Sequence, residues 1–397
     1  MKPVKFMLLA IAVLGGWLAI FNSTFAQTWV QTSAPTNDLY PVVSSVDGLK
    51  LAAIGDDAIY TSTNSGNSWI SNNIPNLNWT DIASSADGNK LIIVSYNGFI
   101  YLSTNSGQAW KSPMGINPNK SWFSVASSAD GTKLMASYQN GLGGGIYTST
   151  NSGNSWVSNS VPNLFLRSVA SSADGDKLIA VGDSVIYTST NSGNTWVSTS
   201  VPFGVNHLLC VASSADGSKL LATGQGAVCV STNSGNIWVT SNVPRLDWGS
   251  AAMSADGSKL IIGASGDLSD QGYTNGGPIF TSTDLGKTWT SNNVPDETWT
   301  SIASSADGSK LAASTEFNEG FWIAQSTPTP QLNIAPTNLD LKFSWLVPST
   351  NFVLQQSSDL SNWSDVTNSP ALNLINLQEE VVLSPTNGSG FYRLESR

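Results

Sequence analysis

The sequence predicts an all-β fold, a seven-bladed β-propeller closed by an N-terminal strand and followed by a small β-sandwich. The first observation is a turn of the type Ser-Ser-Ala-Asp-Gly-x-Lys-Leu, which recurs at intervals of 40, 43, 44, 42, 40 and 51 residues. This period suits a unit of four short strands, the size of a propeller blade. The turn aspartates are Asp47, Asp87, Asp130, Asp174, Asp216, Asp256 and Asp307.

The second observation is an eight-residue stretch, 62–69, which reads Ser-Thr-Asn-Ser-Gly-Asn-Ser-Trp and marks the later part of six of the seven units. Its position between two β-like runs predicts a hairpin turn with a repeated structural role. Close copies end at Trp110, Trp156, Trp196, Trp238 and Trp289.

The second unit shows the expected strand plan. Asp87 and Gly88 suit a tight hairpin, because Asp bonds a nearby backbone amide and Gly accepts a positive φ. The lysine that follows each turn, Lys90 in this unit, is expected to be solvated. Four antiparallel strands are predicted over residues 79–85, 90–94, 98–103 and 109–111.

The third observation concerns the two ends of the repeat region. The seventh unit runs over 299–324 and stops before a fourth strand, whereas residues 28–32 match the fourth-strand sequence at 195–199. We therefore predict that residues 28–32 complete the seventh unit. Such a clasp removes two exposed sheet edges.

Residues 1–26 have the features of an export signal. Lys2 and Lys5 precede an apolar run over 6–20, and small residues stand at the −3 and −1 positions of a cleavage site after Ala26. An uncleaved anchor is the alternative, but 15 residues are short for a bilayer. We expect a Sec-type signal peptide cleaved near Ala26, no membrane span in the mature chain, and a secreted, periplasmic or cell-surface location.

The remaining chain divides at a change of pattern. The propeller is expected over 27–326, and Thr-Pro-Thr-Pro at 327–330 reads as a stiff linker. Residues 331–397 lack both repeat markers and are expected to form the β-sandwich.

Composition narrows the classes of partner. Only 11% of residues are charged and the net charge is −10, which argues against nucleic acid. Cys210 and Cys229 fall on the first and third strands of the fifth unit, about 9 to 10 Å apart, beyond the reach of a disulfide. We expect two free, buried thiols, a surface position for His207, no cofactor, no metal and a monomer.

The last copy of the box, Ser282-x-Asp284-x-Gly286-x-Thr288-Trp289, resembles the Asp-box or BNR repeat of sialidases, sortilin-type ectodomains, xyloglucan hydrolases and photosystem II assembly-factor propellers. The other copies carry Asn, which makes the same turn bonds without a charge. The resemblance covers 28–326. It implies that the box lies opposite the functional face, so functional residues are expected in the loops at the other end of the strands. The C-terminal stretches 352–363 and 391–394 resemble a fibronectin-III-like module of secreted bacterial proteins.

Aromatic residues recur eight residues before the turn aspartate. They could stack on a sugar or aromatic ligand, or they could fill gaps between blades, and Leu at the equivalent positions of other units favours packing. The four binding candidates are Trp79, Trp122, Trp248 and Trp299.

Two long loops are further candidates for recognition, with an unselected insertion as the alternative. One covers 139–145, and the other, over 265–278, contains Asp267, Asp270 and Tyr273. No regular oxygen-ligand pattern surrounds the two aspartates, so a metal site is not expected there.

The favoured function is an exported noncatalytic binding or scaffold protein that recognises an extracellular glycan or protein on the loop face. The resemblance to sialidases implies three arginines around a carboxylate, but the propeller contains only Arg167 and Arg245, and an arginine-rich patch is missing likewise. The alternative is a glycan-degrading hydrolase or lyase with a pair of acids on that face. Its candidate acids are Asp56, Asp57, Asp183, Asp267, Asp270, Glu316 and Glu319.

Overall fold

The structure is a computed structural model in which all regular structure within the described residues is β-strand. Within the described residues, no helix has the length and apolar character needed to cross a membrane. The expected signal peptide at 1–26 and linker at 327–330 lie outside the described residues. The structure describes residues 28–32, 34, 40–55, 58–72, 74–75, 77–112, 120–140, 143–159, 161, 165–182, 185–200, 206–267, 274–315, 320–325, 332–337, 340–346, 352–373, 378–384 and 391–396.

Each repeat unit is numbered here by its turn aspartate, from unit 1 at Asp47 to unit 7 at Asp307. The strands of the first four units, in chain order after β1 (Thr28–Gln31), are β2 (Val42–Ser44), β3 (Leu51–Ile54), β4 (Ile59–Ser62) and β5 (Ile70–Asn72); β6 (Trp79–Ser84), β7 (Leu91–Ser95) and β8 (Ile100–Ser103); β9 (Ser121–Ser127), β10 (Leu134–Asn140), β11 (Gly143–Ser149) and β12 (Val157–Asn159); and β13 (Leu166–Ser171), β14 (Leu178–Gly182), β15 (Val185–Ser189) and β16 (Val197–Ser200).

Units 5 to 7 continue the plan. Their strands are β17 (Asn206–Ser213), β18 (Leu220–Gln225), β19 (Ala227–Ser231) and β20 (Val239–Thr240); β21 (Leu246–Met253), β22 (Leu260–Asp267), β23 (Thr274–Asn275), β24 (Ile279–Ser282) and β25 (Thr290–Ser291); and β26 (Trp299–Ser304), β27 (Lys310–Thr315) and β28 (Phe321–Gln325).

Every unit is an antiparallel meander, and in unit 6 β22 pairs with both β23 and β24. In unit 2 a single bridge between Leu102 and Lys111 stands where a fourth strand was predicted. Units 5 and 6 are joined into one sheet by the pair Gln225 and Asp247. The second strands are mostly buried, as in β7, whereas the fourth strands are largely exposed, as in β5. Burial therefore decreases from the second strand to the outer edge of each sheet.

Strand β1 pairs antiparallel with β28, so its sheet has the order β1-β28-β27-β26. Trp29 lies opposite Ala324 and Val30 opposite Ile323. The first described strand thus supplies the outer strand of the sheet of unit 7.

The seven Asp-Gly turns are joined by backbone hydrogen bonds between the residues that precede the aspartates. Val46 N–H donates to the Ala86 carbonyl, each following alanine donates to the next, and Ala306 N–H returns to the Val46 carbonyl, all at 2.6 to 2.8 Å. The series closes on its first member, and the turns surround a common centre. The other donors in order are Ala86, Ala129, Ala173, Ala215 and Ala255.

The apolar core lies between neighbouring sheets rather than in one central cluster. Ile54 and Ile59 of unit 1, for example, pack with Ile82 and Ile93 of unit 2. Because each sheet has a neighbour on both faces, its second strand reads as a continuous apolar run.

The C-terminal residues form two further antiparallel sheets. Phe343 and Trp345 of one sheet share a buried cluster with Leu354 of the other. The strands are β29 (Asn333–Thr337), β30 (Asp340–Leu346), β31 (Phe352–Ser357), β32 (Ser364–Asp365), β33 (Ala371–Asn373), β34 (Gln378–Leu383) and β35 (Phe391–Ser396), in the orders β29-β30-β34-β33 and β32-β31-β35.

Candidate functional site

One end of the strands, called the turn face here, carries the Asp-Gly turns. In unit 2, Ser85 Oγ and Asn89 N–H both donate to Asp87 Oδ1, at 2.6 and 2.9 Å, and Lys90 N–H donates to Ser85 Oγ at 2.9 Å. Burial alone would raise the pKa of Asp87, but these donors outweigh it and lower the pKa. The carboxylate is therefore held ionised by its own turn.

The lysines after the turns, which were expected to be solvated, also link neighbouring units. Lys90 Nζ donates to the Asp130 carbonyl at 2.7 Å, and Lys310 Nζ donates to the Asp47 carbonyl at 3.0 Å. In unit 3 the link is an ion pair, with Lys133 Nζ 2.6 Å from Asp176 Oδ1. All seven lysines reach the turn of the next unit, the remaining ones being Lys50, Lys177, Lys219 and Lys259.

The box turns lie on the same turn face, since Ser65 N–H donates to the Leu49 carbonyl beside the Asp-Gly turn of unit 1. Asn64 Oδ1 accepts from Ser62 Oγ and Ser68 N–H at 2.9 Å each. Asp284 Oδ1 makes the equivalent bonds at the same two distances. Asn and Asp therefore build the same turn, and both use their polar atoms within it.

A cavity of about 190 Å³ opens at the centre of the turn face. Serines from six units line it, but their hydroxyls are internally bonded: Ser84 Oγ, for instance, donates to the Ser85 carbonyl at 2.9 Å. Its lining of serines, alanines, Val46 and Met253 carries no ionisable group. The sequence pattern does not predict this cavity.

The four candidate tryptophans lie at the opposite end of the strands, the loop face, but mostly inside the protein. Trp122, Trp248 and Trp299 are 1%, 0% and 0% exposed, and Trp79 is partly buried. Trp299 Nε1 donates to the Gly277 carbonyl at 2.7 Å, and Trp122 makes an edge contact with Tyr147 at 5.6 Å. Burial of the three indoles favours the packing alternative over ligand stacking.

The acidic candidates fall where the structure gives no side-chain geometry. The backbone of Asp267 ends β22, but its side chain, Asp270 and Tyr273 lie outside the described residues. The same holds for the other acids of the hydrolase alternative, which are Asp56, Asp57, Asp183, Glu316 and Glu319. Within the described part of the chain, no three or more His, Cys, Asp or Glu side chains are grouped so that they could hold a metal ion.

Polar side chains that stand six residues before the turn aspartate form hydrogen bonds between the first strands of neighbouring units. Asp81 Oδ2 accepts from Val125 N–H at 2.8 Å, as Ser124 Oγ does from Val169 N–H at 3.2 Å. Burial raises the pKa of Asp81 to about 6, only partly offset by its hydrogen-bond donors. Burial also raises the pKa of the Cys210 thiol, and the charge of Asp81 adds to that rise.

Four side chains of units 2 to 4 form what we call the loop-face patch: Tyr96, Phe123, Phe165 and Arg167. The Tyr96 and Phe123 ring centroids are 6.3 Å apart, and those of Phe123 and Phe165 are 5.4 Å apart. The Arg167 guanidinium lies 4.8 Å from the Phe165 centroid. Tyr96 and Phe165 are 52% and 40% exposed. The sequence pattern does not predict this patch, although the repeat alignment places Phe123 and Arg167 at one position.

No protein-family model and no curated protein sequence matches the chain. Among solved structures, the chain is similar to YCF48 from Cyanidioschyzon merolae, a β-propeller, with a TM-score of 0.58 and 13% identity over 75% of this chain and 98% of that chain. The chain folds as a β-propeller. A second similar structure, YCF48 bound to D1 peptide, has a TM-score of 0.56 and 16% identity over 76% of this chain and 96% of that chain. At these identities the likeness concerns the fold alone.

Proposed function

We propose that this protein is a noncatalytic binding protein that recognises a protein partner on the loop face of its propeller. The observation that carries the proposal is the contrast between the two ends of the strands. On the turn face the polar groups bond within their turns or to the next unit, as at Asp87 and Lys90. On the loop face, the rings of Tyr96 and Phe165 are exposed, and the Arg167 guanidinium lies 4.8 Å from the Phe165 centroid. Recognition residues commonly occupy loops on a rigid scaffold.

The scaffold in this proposal is a closed seven-bladed propeller. The cycle of hydrogen bonds from Val46 through Ala306 supports seven units around one axis, and the pairing of β1 with β28 supports closure by the first strand. The C-terminal sheets would form the appended β-sandwich, after a linker at 327–330.

The structure of YCF48 bound to D1 peptide supports a peptide as the kind of partner. Two scaffolds of similar fold do not share a ligand for that reason alone. The partner of this chain is therefore defined by the chemistry of its own loop face.

Export through the signal peptide at 1–26 is part of the proposal and places the partner outside the cytoplasm. The apolar run after Lys2 and Lys5 supports it. A glycan partner and a glycan-degrading activity remain the competing functions. They rest on the loop at 265–278 and on the seven candidate acids.

Selection of a phage-displayed random 12-residue peptide library on the full exported chain tests the proposal. A glycan array and a polysaccharide-degradation screen run on the same preparation. We expect enrichment of peptides and no polysaccharide turnover. Turnover that disappears in Asp267→Asn would replace the proposal with the hydrolase, and failure to enrich any peptide would also contradict it.

A further inference from the structure

Unit 3 carries a lysine whose ammonium group lies on two tyrosine rings. Lys120 Nζ lies 3.5 Å from the centroid of the Tyr138 ring and 5.0 Å from that of the Tyr147 ring. No ion pair between described residues includes Lys120. The negative face of an aromatic ring attracts a cation at such distances. The two rings therefore hold a positive charge that belongs to the chain itself.

The two tyrosines form the walls of a corner, called the tyrosine corner here, and a third ring supports them from inside the protein. The Tyr138 and Tyr147 centroids are 5.6 Å apart, and the ring planes make an angle of 65°. The Trp122 ring centroid lies 5.9 Å from that of Tyr138 and 5.6 Å from that of Tyr147. Trp122 is buried, whereas Lys120 and both tyrosines are half-buried. The corner is thus packed from behind and reached by solvent on the side of the lysine.

Tyr138 departs from the repeat. It stands eight residues after the turn aspartate, where every other unit has Gly, Ala, Ser or Thr. Since six units form the same meander with a small side chain at this position, the fold does not require an aromatic ring there. The full set is Gly55, Ser95, Tyr138, Gly182, Gly224, Ala264 and Thr315.

A glycine of the neighbouring strand makes room for the Tyr138 ring. Tyr138 on β10 pairs with Gly145 on β11, and a Cβ added at Gly145 would lie 3.0 Å from Tyr138 Cε1. A side chain at Gly145 would therefore push the ring away from β11. This contact gives one glycine of the 139–145 loop, a recognition candidate of the sequence, a structural reason.

A lysine is a weak occupant of such a corner. Its ammonium group has three N–H donors and is strongly hydrated, so exchanging the rings for water costs it little. A trimethylammonium group carries the same charge but has no N–H donor, so water solvates it less and aromatic rings compete for it better. The tyrosine corner therefore favours a quaternary ammonium group over its own lysine.

From these observations we infer that the tyrosine corner binds the trimethylammonium group of a small molecule and that Lys120 occupies the corner when this ligand is absent. The bound cation lies on the rings of Tyr138 and Tyr147, as Lys120 Nζ does in the structure. The inference goes beyond the proposed function, because it concerns a small cation and uses no residue of the loop-face patch.

Titration of the full chain with choline chloride, followed by calorimetry at constant total chloride, tests the inference. The tert-butyl analogue of choline, in which carbon replaces the nitrogen, has the same shape without the charge and is the control ligand. The variants are Tyr138→Ser, which introduces the residue of unit 2, Tyr138→Phe, which keeps a ring, and Lys120→Ala. Lys111→Ala removes an exposed lysine of unit 2 and is the control variant. Circular dichroism checks that each variant folds.

We expect choline to bind the wild type and its tert-butyl analogue to show no measurable binding. Lys120→Ala should tighten choline binding about two- to fivefold, because the ligand no longer has to displace the lysine. Tyr138→Ser should weaken choline binding about fivefold or more, whereas Tyr138→Phe should change it by less than about twofold. Lys111→Ala should leave the affinity unchanged.

Absence of choline binding in both the wild type and Lys120→Ala would overturn the inference, whichever peptides the chain enriches. Equal affinity of Tyr138→Ser and the wild type would exclude the tyrosine corner as the site. Equal binding of the tert-butyl analogue would indicate an apolar pocket instead of a cation site, and an unchanged affinity in Lys120→Ala would contradict the role of the lysine as occupant. Choline binding without enrichment of any peptide would contradict the proposed function alone.

Discussion

Trp29 and Val30 are adjacent on β1 but point to opposite faces of the sheet, which permits a sharp test of how that strand stabilises the protein. Trp29 is 7% exposed and packs with Leu311 and Ala324, and its ring centroid lies 6.5 Å from that of Trp299. Val30 is 55% exposed. We predict that Trp29→Ala strongly destabilises the protein and that Val30→Ala does not.

The magnitude follows from the buried area. A tryptophan side chain buries roughly 200 Å², which at about 25 cal/mol per Å² corresponds to about 5 kcal/mol. The unfolded chain already covers part of that surface, so a loss of about 3 to 5 kcal/mol is expected for Trp29→Ala. Val30→Ala should change the free energy of unfolding by no more than about 0.5 kcal/mol.

Urea unfolding followed by circular dichroism measures both variants. With an m-value of about 3 kcal/mol per molar urea, the midpoint should fall by about 1 to 1.7 M for Trp29→Ala and by less than about 0.2 M for Val30→Ala. Trp29→Phe should fall between the two, because it keeps most of the apolar surface. Equal midpoints for Trp29→Ala and Val30→Ala would refute the placement of β1 against the core of unit 7.

Three further predictions concern single positions. Folding raises the pKa of Asp81 from 3.8 to about 6, so its contribution to stability is greatest below about pH 4 and is lost as the pH rises through about 6. The variant Asp81→Ser, which carries the residue of several other units, should therefore gain free energy of unfolding over the wild type on going from pH 4 to pH 8, by up to about 3 kcal/mol. A difference between variant and wild type that does not vary with pH would contradict this. Gly131 has a φ of +65°, and a Cβ there would lie 2.7 Å from Lys90 Cδ, so Gly131→Ala should cost at least about 1 to 2 kcal/mol in a urea titration, and an unchanged midpoint would exclude the close contact. Cys210 and Cys229 are free, and Cys229 is buried, so mass spectrometry after alkylation without reductant should find two labels in denaturant and slow labelling of Cys229 in the native protein, whereas absence of label in denaturant would indicate a disulfide.

The repeat predicts part of the candidate site, because equivalent positions of different units stand at the same number of residues before the turn aspartate. The aligned position that contains Thr80, Phe123 and Arg167 was available from the sequence, but the proximity of Phe123 to Tyr96 was not. Tyr96 lies in a turn of unit 2 and Phe123 on β9 of unit 3, so their contact depends on how two sheets pack. The loop candidates Asp270 and Tyr273 lie outside the described residues and stay predictions.

The sequence by itself determined the local structure: the seven Asp-Gly turns, the box turns in which Asn64 and Asp284 make the same bonds, and the meander of short strands. These features depend on residues a few positions apart, and the sequence repeats the Asp-Gly turn seven times and the box turn six times. The tertiary structure alone decided which groups meet across units. Lys90 donates to the turn of the next unit, Trp122 is buried, and burial raises the pKa of Asp81. Each of these outcomes depends on the packing of one sheet against another, and burial and distance between units are not encoded in the spacing of residues along the chain.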